Sequence, residues 1–326
     1  IQQMKSKENS EVILPRNQLN LYGYDYYFNL FLNLYTKNKL PSAILLNGQK
    51  GIGKATFAYH FINFLLSRNE ENFYSMQSYS INSKNYSYNC IKNFTHPNFF
   101  LLDTFSPEEH IKIQQSRNLL KFLSKTVYSK GIKIILIDNI ENLNINSSNA
   151  LLKALEEPPS KTFFFLIQND SFRVIDTIKS RCLPFNLHFS QNEKKSIFNK
   201  IINSYNINVD LNYFDKFFYF DSPGNILRYF FAVKNTNFYN SKDTLSSILF
   251  LMDMYNSNKD LNLPNFITLF IEIFYNELSL KNSSNINSYF TNKNKILSII
   301  RDTNKFNLDK KNMFFTIGKI LKNEAK

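Results

Sequence analysis

Short apolar runs alternate with longer amphipathic segments through roughly the first 185 residues of the chain. The apolar runs share the length of a buried strand and a high content of β-branched or aromatic residues, and they occupy residues 43–46, 99–102, 134–137 and 163–167. Between these runs, residues 56–66 and 113–123 carry apolar side chains at helical spacing. This alternation predicts an α/β fold in which crossover helices connect the strands of a parallel sheet.

The pattern changes after Leu187, beyond which only helices are predicted. Apolar residues then recur at helical spacing over residues 266–280, 296–301 and 313–321. The turn at residues 221–224 predicts a helix that begins near Asn225. Two polar stretches interrupt the elements, since residues 69–93 predict an irregular insertion and residues 235–241 predict a linker.

The charge of the chain favours an anionic environment without identifying a binding surface. The 326 residues suffice for two or three domains with buried cores. Lys and Arg number 39 against 26 acidic residues, which gives a net charge of +13 and favours nucleic acid as a neighbour. The lysines are scattered without a dense run, however, so ordinary solvated faces are the favoured explanation of the charge.

The sequence also indicates a compartment. The only two cysteines, Cys90 and Cys182, lie far apart, which favours a reducing cytosol over a disulfide framework. Residues 1–16 are polar and lack the apolar core of a signal peptide. Since no stretch approaches the roughly 18 apolar residues of a membrane span, we expect a soluble cytoplasmic protein without a membrane partner.

A glycine-rich segment, GQKGIGKA, occupies residues 48–55 between a predicted strand and a predicted helix. Gly48, Gly51 and Gly53 allow backbone N–H groups to turn towards a phosphate, and Lys54 places a positive charge at the helix N-terminus. A simple turn before a helix is the alternative interpretation. The strand, loop and helix together favour a phosphate-binding loop.

Two positions of this predicted nucleotide site lack the expected chemistry. Ala55 stands where Ser or Thr would ligate Mg²⁺, and Thr56 lies about 100° further round the helix. Asp138 ends a buried strand as a metal-binding acid would, but Asn139 follows it in place of a glutamate that orients water. Glu141 is predicted to begin the next helix. We therefore interpret Asp138 as a relic acid with a structural role.

A third constellation precedes the last predicted strand. Residues 149–159, NALLKALEEPP, predict a packed helix that a proline pair ends. Ser180, Arg181 and Cys182 follow after a further strand, which ends in polar residues 168–170. A Ser-Arg-Cys sequence alone does not indicate a function. Its position after a strand, loop and helix makes it a specific motif.

These segments together resemble the clamp-loader branch of the AAA+ ATPases, and within it the delta-prime subunits of bacterial DNA polymerase III. The matching segments are residues 45–59, His96-Pro97, residues 149–159, residues 180–182 and residues 222–224. The resemblance implies an AAA+ P-loop domain with a parallel sheet over residues 1–186. It also implies a small helical lid domain over residues 187–236 and an all-α collar domain for oligomerisation over residues 237–326.

The resemblance further implies a role for Arg181 as an arginine finger that acts in trans, with Ser180 and Cys182 in its motif. It would reach the ATP site of an adjacent gamma/tau motor subunit in a ring that also contains a delta subunit. Through that complex, the sliding clamp and primer-template DNA would be partners, and the chain would help to load the clamp onto primed DNA.

No cofactor is required in this interpretation. Weak ATP or ADP binding through the glycines of the loop and Lys54 is left open. Many relatives bind zinc through four cysteines in the insertion, whereas Cys90 and His96 alone do not complete a tetrahedral site, so we predict no zinc.

Three hypotheses follow from these residues. The chain is a clamp-loader subunit without catalysis of its own, or a DNA-stimulated ATPase motor that works from Lys54 and Asp138, or a ring scaffold without a functional arginine. Ala55 and Asn139 count against the motor, and Arg181 separates the first hypothesis from the third.

Overall fold

A computed structural model describes residues 12–104, 111–125, 131–170, 174–207, 209–234, 236, 243–258, 263–306 and 308–324. These residues form two compact units. The α/β unit comprises residues 12–207 and 222–225, and the helical unit comprises residues 209–221 and 226–324, each within the described ranges.

The α/β unit contains a five-stranded sheet in the order β2-β3-β4-β1-β5, and every pairing in it is parallel. The strands are β1 Ala43–Gly48, β2 Phe99–Leu102, β3 Lys133–Ile137, β4 Thr162–Asn169 and β5 Leu183–Asn186. The helices are α1 Asp25–Thr36, α2 Lys54–Leu66, α3 Tyr86–Lys92, α4 Ile113–Ser124, α5 Ile145–Glu156, α6 Asp176–Lys179 and α7 Gln191–Ser204. The predicted strands, crossover helices and α/β fold class are confirmed.

The sheet is the middle layer of this unit because its apolar side chains alternate between two cores. Ile44 and Leu46 of β1 pack on one side with residues of α1 and α2. Ala43 and Leu45 pack on the other side with residues of α4 and α5. Burial on both faces explains why the strands are continuous apolar runs instead of alternating polar and apolar positions.

The insertion is more ordered than the sequence predicts. The prediction of irregular structure over residues 69–93 is wrong for the residues of α3. This helix begins after the buried residue Asn85. The Asn85 Oδ1 atom accepts a hydrogen bond from the Tyr88 N–H at 2.6 Å, and the Glu70 carboxylate accepts from the Ser87 N–H at 3.1 Å. These caps stabilise the first turn of a helix too polar for its pattern to reveal it.

Cys90 and His96, which we predict do not form a zinc site, lie within this insertion and just after it. Cys90 is half-buried, and the His96 Nδ1 atom accepts a hydrogen bond from the Asn98 N–H at 3.2 Å. Among the described residues, no group of three or more His, Cys, Asp or Glu side chains is placed to hold a metal ion. The absence of zinc stays a prediction.

The helical unit confirms the helices predicted after Leu187. Its helices are α8 Phe217–Phe220, α9 Pro223–Val233, α10 Thr244–Asn258, α11 Leu263–Lys281, α12 Ile286–Lys305 and α13 Lys310–Glu324, the first three residues of α9 being counted with the α/β unit. Helix α9 begins at Pro223, two residues before Asn225, because proline suits the first helical position. No helix in the described ranges is both long and apolar enough to cross a bilayer.

Aromatic packing joins the first helices of the helical unit to its longest apolar helix. The rings of Phe217 in α8 and Tyr229 in α9 lie 5.3 Å and 5.1 Å from the ring of Phe270 in α11. Of the predicted linker 235–241, only residue 236 is described. The predicted boundary between residues 236 and 237 falls beside residues outside the described ranges, so the division into three domains stays a prediction.

A buried histidine connects three segments of the α/β unit. His60 in α2 is fully buried, and its Nε2 atom donates a hydrogen bond to the Gln18 carbonyl oxygen at 3.1 Å. The Tyr74 hydroxyl donates to the His60 Nδ1 atom at 3.0 Å. Burial lowers the pKa of His60 to about 3, so the imidazole is neutral in the folded protein at pH 7.

We predict that His60 makes the protein less stable as the pH falls from 7 to 5. The unfolded chain takes up a proton near the ordinary pKa of 6.5, whereas the folded chain does not until about 3. The contribution is therefore complete above pH 6.5 and is lost towards pH 3, with a loss of about 2 kcal/mol between pH 7 and pH 5. Urea unfolding at both pH values should show a pH dependence smaller by that amount in His60→Leu.

The exposed His188 provides the matched control. His188→Gln should keep the pH dependence of the wild-type protein. An identical pH dependence in wild type and His60→Leu would contradict the prediction.

Candidate functional site

Four strands bring polar residues to one edge of the sheet. Gly48 ends β1 and leads into the glycine-rich loop, Asp103 and Asp138 follow β2 and β3, and Asn169 ends β4. Because the strands are parallel, their carboxyl ends lie together at the edge where α/β proteins bind ligands. The predicted loop and the predicted relic acid are therefore at the same edge of the sheet.

Two glycines of the loop adopt a conformation that other residues avoid. The φ angles of Gly51 and Gly53 are +80° and +103°. A Cβ atom added to Gly51 would lie 2.7 Å from the Asn225 Oδ1 atom, so the missing side chain also leaves room for a neighbouring segment. The sequence predicted the first reason for glycine and missed the second.

That neighbouring segment, residues 222–225, is fastened to the loop backbone, and we call it the clasp. The Gly224 N–H donates to the Gly51 carbonyl oxygen at 3.1 Å. The Ser222 hydroxyl donates to the Lys50 carbonyl oxygen at 2.7 Å, and the Asn225 amide donates to the same oxygen at 3.3 Å. The clasp therefore presents small polar groups to the loop, with no cation among its four residues.

Lys54 is buried and interacts with its own loop. Its Nζ atom donates hydrogen bonds to the carbonyl oxygens of Gly48 at 2.6 Å and Gln49 at 2.9 Å. Burial lowers the pKa of Lys54 to about 8, and nearby carboxylates, foremost Asp170, oppose that shift. The ammonium group is thus still mostly protonated at pH 7 and stabilises the closed turn of the loop.

The residues after Lys54 do not fit a magnesium-nucleotide complex. Ala55, the second residue of α2, has no side-chain oxygen to ligate a metal ion. Thr56 lies one position further along the same helix, about 100° round its axis. The loop keeps the glycines and the lysine that a phosphate requires, but its metal position is empty of ligands.

Asn139 stands at the position of a catalytic glutamate, but its amide groups make structural hydrogen bonds. Its φ angle is +54°, its N–H donates to the Asp138 Oδ1 atom at 2.9 Å, and its side-chain amide donates to the Asp103 Oδ1 atom at 3.2 Å. An amide that donates to a carboxylate does not take a proton from water. Asn139 instead connects the ends of β2 and β3.

The expectation that Glu141 begins the following helix is wrong. Glu141 lies in a 3₁₀ turn, Ile140–Asn142, and α5 begins at Ile145 after its cap Asn144. The cap decides the helix start, because the Asn144 side chain accepts a hydrogen bond from the Ser147 N–H at 2.8 Å. The sequence contained this asparagine, but it stood among several others.

The carboxylates at this edge are held in an unfavourable environment. Burial raises the pKa of Asp138 to about 7, and the charge of Asp103 adds to the shift. Burial likewise raises the pKa of Asp103 and of Glu141. The ammonium group of Lys54 partly offsets the shifts at Asp138 and Glu141. The sequence identified Asp138 and gave no signal for Asp103.

The Ser-Arg-Cys motif lies between α6 and β5. Cys182 is buried beside Ile178 in the core under α5, and burial raises the pKa of its thiol to about 12. The Arg181 N–H donates to the Ile178 carbonyl oxygen at 3.0 Å, which continues the turn of α6. Cys182 therefore anchors the segment, and Arg181 lies at the surface with 28% of its side chain exposed.

Arg181 lies at the opposite edge of the sheet from the glycine-rich loop. It precedes Leu183, the first residue of β5, which pairs with Ile44 near the amino end of β1. The loop follows the carboxyl end of that six-residue strand, so about 17 Å of strand separates the two sites. This distance exceeds the reach of an arginine side chain, and Arg181 does not serve its own loop.

A carboxylate that the sequence did not single out contacts the arginine. The Arg181 Nε and Nη2 atoms both donate to the Glu156 Oε1 atom, the former at 2.7 Å. Glu156 is the last residue of α5, in a segment that the pattern assigned only to a packed helix. Its pairing depends on the tertiary structure, which sequence spacing did not reveal.

We predict that Asp138→Asn stabilises the protein in a pH-dependent way. The folded pKa of about 7 lies above the ordinary 3.8, so the stability provided by the protonated acid is present below 3.8 and lost as the pH rises through 7. Asparagine keeps the acceptor for the Asn139 N–H and avoids that loss. The free energy of unfolding of the variant minus that of wild type should therefore be larger at pH 8 than at pH 5. The increase should be roughly 2 kcal/mol.

Urea unfolding at both pH values measures this difference. The exposed Asp253 on α10 is the control, and Asp253→Asn should change the free energy of unfolding by less than about 0.5 kcal/mol at either pH. A uniform effect of Asp138→Asn across pH would refute the predicted titration.

The chain is similar to known proteins over a region that contains these segments. The family model described as DNA polymerase III, delta subunit, matches residues 24–191. The DNA polymerase III subunit delta' of Pseudomonas aeruginosa is 35% identical over 141 residues, which cover 43% of this chain and 41% of that protein. The delta' subunit of Buchnera aphidicola subsp. Acyrthosiphon pisum is 30% identical over 175 residues, 52% of this chain and 50% of that protein.

A third relative is the DNA polymerase III subunit tau/gamma of Haemophilus influenzae, 30% identical over 173 residues that cover 53% of this chain and 24% of that protein. The chain thus spans half or less of the length of these curated relatives. The expected resemblance to delta-prime subunits is confirmed. Because residues 24–191 are just over half of the 326 residues, the chain belongs to the family described as DNA polymerase III, delta subunit.

Proposed function

We propose that this chain is a non-hydrolysing clamp-loader subunit of the delta-prime type that supplies Arg181 in trans to a neighbouring ATP site. The observation that carries the proposal is the placement of Arg181 at the amino edge of the sheet, about 17 Å of strand away from its own loop. A guanidinium group at a subunit surface can stabilise charge on a γ-phosphate bound elsewhere.

The chemistry at the carboxyl edge supports the same proposal. Ala55 provides no metal ligand, and the Asn139 amide is engaged with Asp103. The clasp contributes no cation towards the loop at residues 222–225. Hydrolysis by this chain would need a metal ligand and a general base that these positions do not supply.

The proposed partners follow from the names of the relatives. Relatives include delta' and tau/gamma subunits of DNA polymerase III, so we propose assembly with gamma/tau motor subunits and a delta subunit. The helical unit would take part in the ring as a collar. Through that complex the chain would act on the sliding clamp and primer-template DNA, in the cytoplasm.

A catalytically active, DNA-stimulated ATPase is the alternative. The retained Lys54 and Asp138, together with the 30% identity to a tau/gamma subunit, favour it. Losing a metal ligand or a general base commonly costs several orders of magnitude in rate, which makes the alternative the weaker proposal.

We predict that Arg181→Ala lowers ATP hydrolysis by the reconstituted complex while assembly is retained. Loss of an arginine finger slows the site it serves by roughly 10³-fold, so the total rate should fall by the share which that site contributes. Arg181→Lys should restore little activity, because lysine keeps the charge and loses the planar fork. Steady-state hydrolysis with clamp and primed DNA, and gel filtration for assembly, provide the two measurements.

Arg117 offers a matched control because it is an exposed arginine on α4 of the same unit. Arg117→Ala should leave both hydrolysis and assembly as in wild type. Full hydrolysis by a complex that contains Arg181→Ala would eliminate the trans role.

We further predict that the isolated chain hydrolyses ATP no faster than background. Ala55→Ser should not rescue it, because Asn139 still provides no base. A purified wild-type chain that turns over ATP at motor-like rates, with loss of activity in Lys54→Ala, would establish the alternative instead.

A further inference from the structure

The partner of Arg181 within the chain has a consequence for how the arginine becomes available. We propose that Glu156 is a positioning residue that holds Arg181 in a parked conformation until a neighbouring ATP site competes for it. The inference rests on the proposed trans role of Arg181. It adds a second residue, on a different element, that sets how readily the finger is released.

The parked arginine has almost no free donor. A guanidinium group carries five N–H donors. The Nε and Nη2 atoms donate to Glu156, and the Nη1 atom donates to the Thr177 carbonyl oxygen at 2.6 Å and to the Ser180 hydroxyl at 3.3 Å. Four of the five donors are thus engaged within the chain. Bidentate binding of a phosphate requires two adjacent donors, so Arg181 must first release Glu156.

The position of Glu156 makes it a ready partner for a cation. It is the last residue of α5, and Pro158 and Pro159 prevent the helix from continuing. A carboxylate at a helix C-terminus faces the negative end of the helix dipole, and a neighbouring guanidinium offsets that repulsion. Glu156 ends α5 and Arg181 follows α6, so the two side chains come from segments on either side of β4 in the chain.

The pair is accessible enough to open. The side chains of Arg181 and Glu156 are 28% and 47% exposed, so water screens their attraction. Exposed ion pairs of this kind hold their partners by only a few-fold in equilibrium constant. A γ-phosphate in a water-excluded site interacts more strongly with the same guanidinium. The parked conformation therefore lowers the apparent affinity of Arg181 for the neighbouring ATP site but does not prevent binding.

Titration of the chain into a complex assembled without it tests this inference, with ATP hydrolysis as the readout. Glu156→Gln keeps the size and polarity of the side chain and removes its charge. We expect the half-saturating concentration of the variant to fall by roughly two- to fivefold, while the maximal rate equals that of wild type. Raised ionic strength should narrow the difference, since salt screens the wild-type pair.

Glu157 provides the matched control, because it is the adjacent acid and is exposed. Glu157→Gln should titrate as wild type does. A half-saturating concentration of Glu156→Gln equal to that of Glu157→Gln would overturn the inference. A lower maximal rate for Glu156→Gln would overturn it as well, since it would mean that Glu156 orients Arg181 inside the complex.

A double-mutant cycle in the isolated chain separates this inference from the proposed function. The free energies of unfolding of Glu156→Gln, Arg181→Gln and the double variant give the coupling of the pair without any partner subunit. Absent coupling overturns the parked conformation and leaves the trans role of Arg181 standing. Coupling together with full hydrolysis by an Arg181→Ala complex overturns the proposed function and, with it, the regulatory role of Glu156.

Discussion

Parallel pairing around β1 is the constraint on which both candidate sites depend. The strand pairs with β4 on one side and β5 on the other, and all three run in the same direction. Their carboxyl ends collect the glycine-rich loop and the acidic residues at one edge, while the chain reaches Arg181 at the other edge before it enters β5. A single antiparallel strand would place the arginine and the loop at the same edge. Strand direction therefore decides whether the arginine lies at the edge of its own loop or at the opposite edge of the sheet.

The apolar burial that stabilises the sheet also determines the desolvation cost of charged residues at its edges. Apolar side chains on both faces exclude water from the sheet, so charges near the strand ends lose hydration. Lys54 and Asp138 respond with pKa values shifted towards their neutral forms. Each also lowers the cost of the other through its opposite charge. Loss of Lys54 would remove a positive charge that partly offsets the cost of burying Asp138, which gives a structural reason for the lysine.

Apolar patterning predicted the strands and most of the helices because burial on both sheet faces leaves an unambiguous signal. Helix α3 escaped prediction, since its stability comes from Asn85 and Glu70 caps instead of an apolar stripe. The loop and Arg181 were found because their chemistry is local in sequence. The contacts of the clasp with Gly51 and of Glu156 with Arg181 were not found. Those pairs are distant in sequence, and only the folded chain brings them together.

The distance between the two edges explains why one site can lose its chemistry while the other is unaffected. Changes at positions more than about 7–10 Å apart, with no shared contacts, act independently on stability. Ala55 and Asn139 lie across the sheet from Arg181, whose position depends on α6 and on the burial of Cys182. The segment that presents Arg181 is therefore stabilised by contacts that do not require a working metal site or general base.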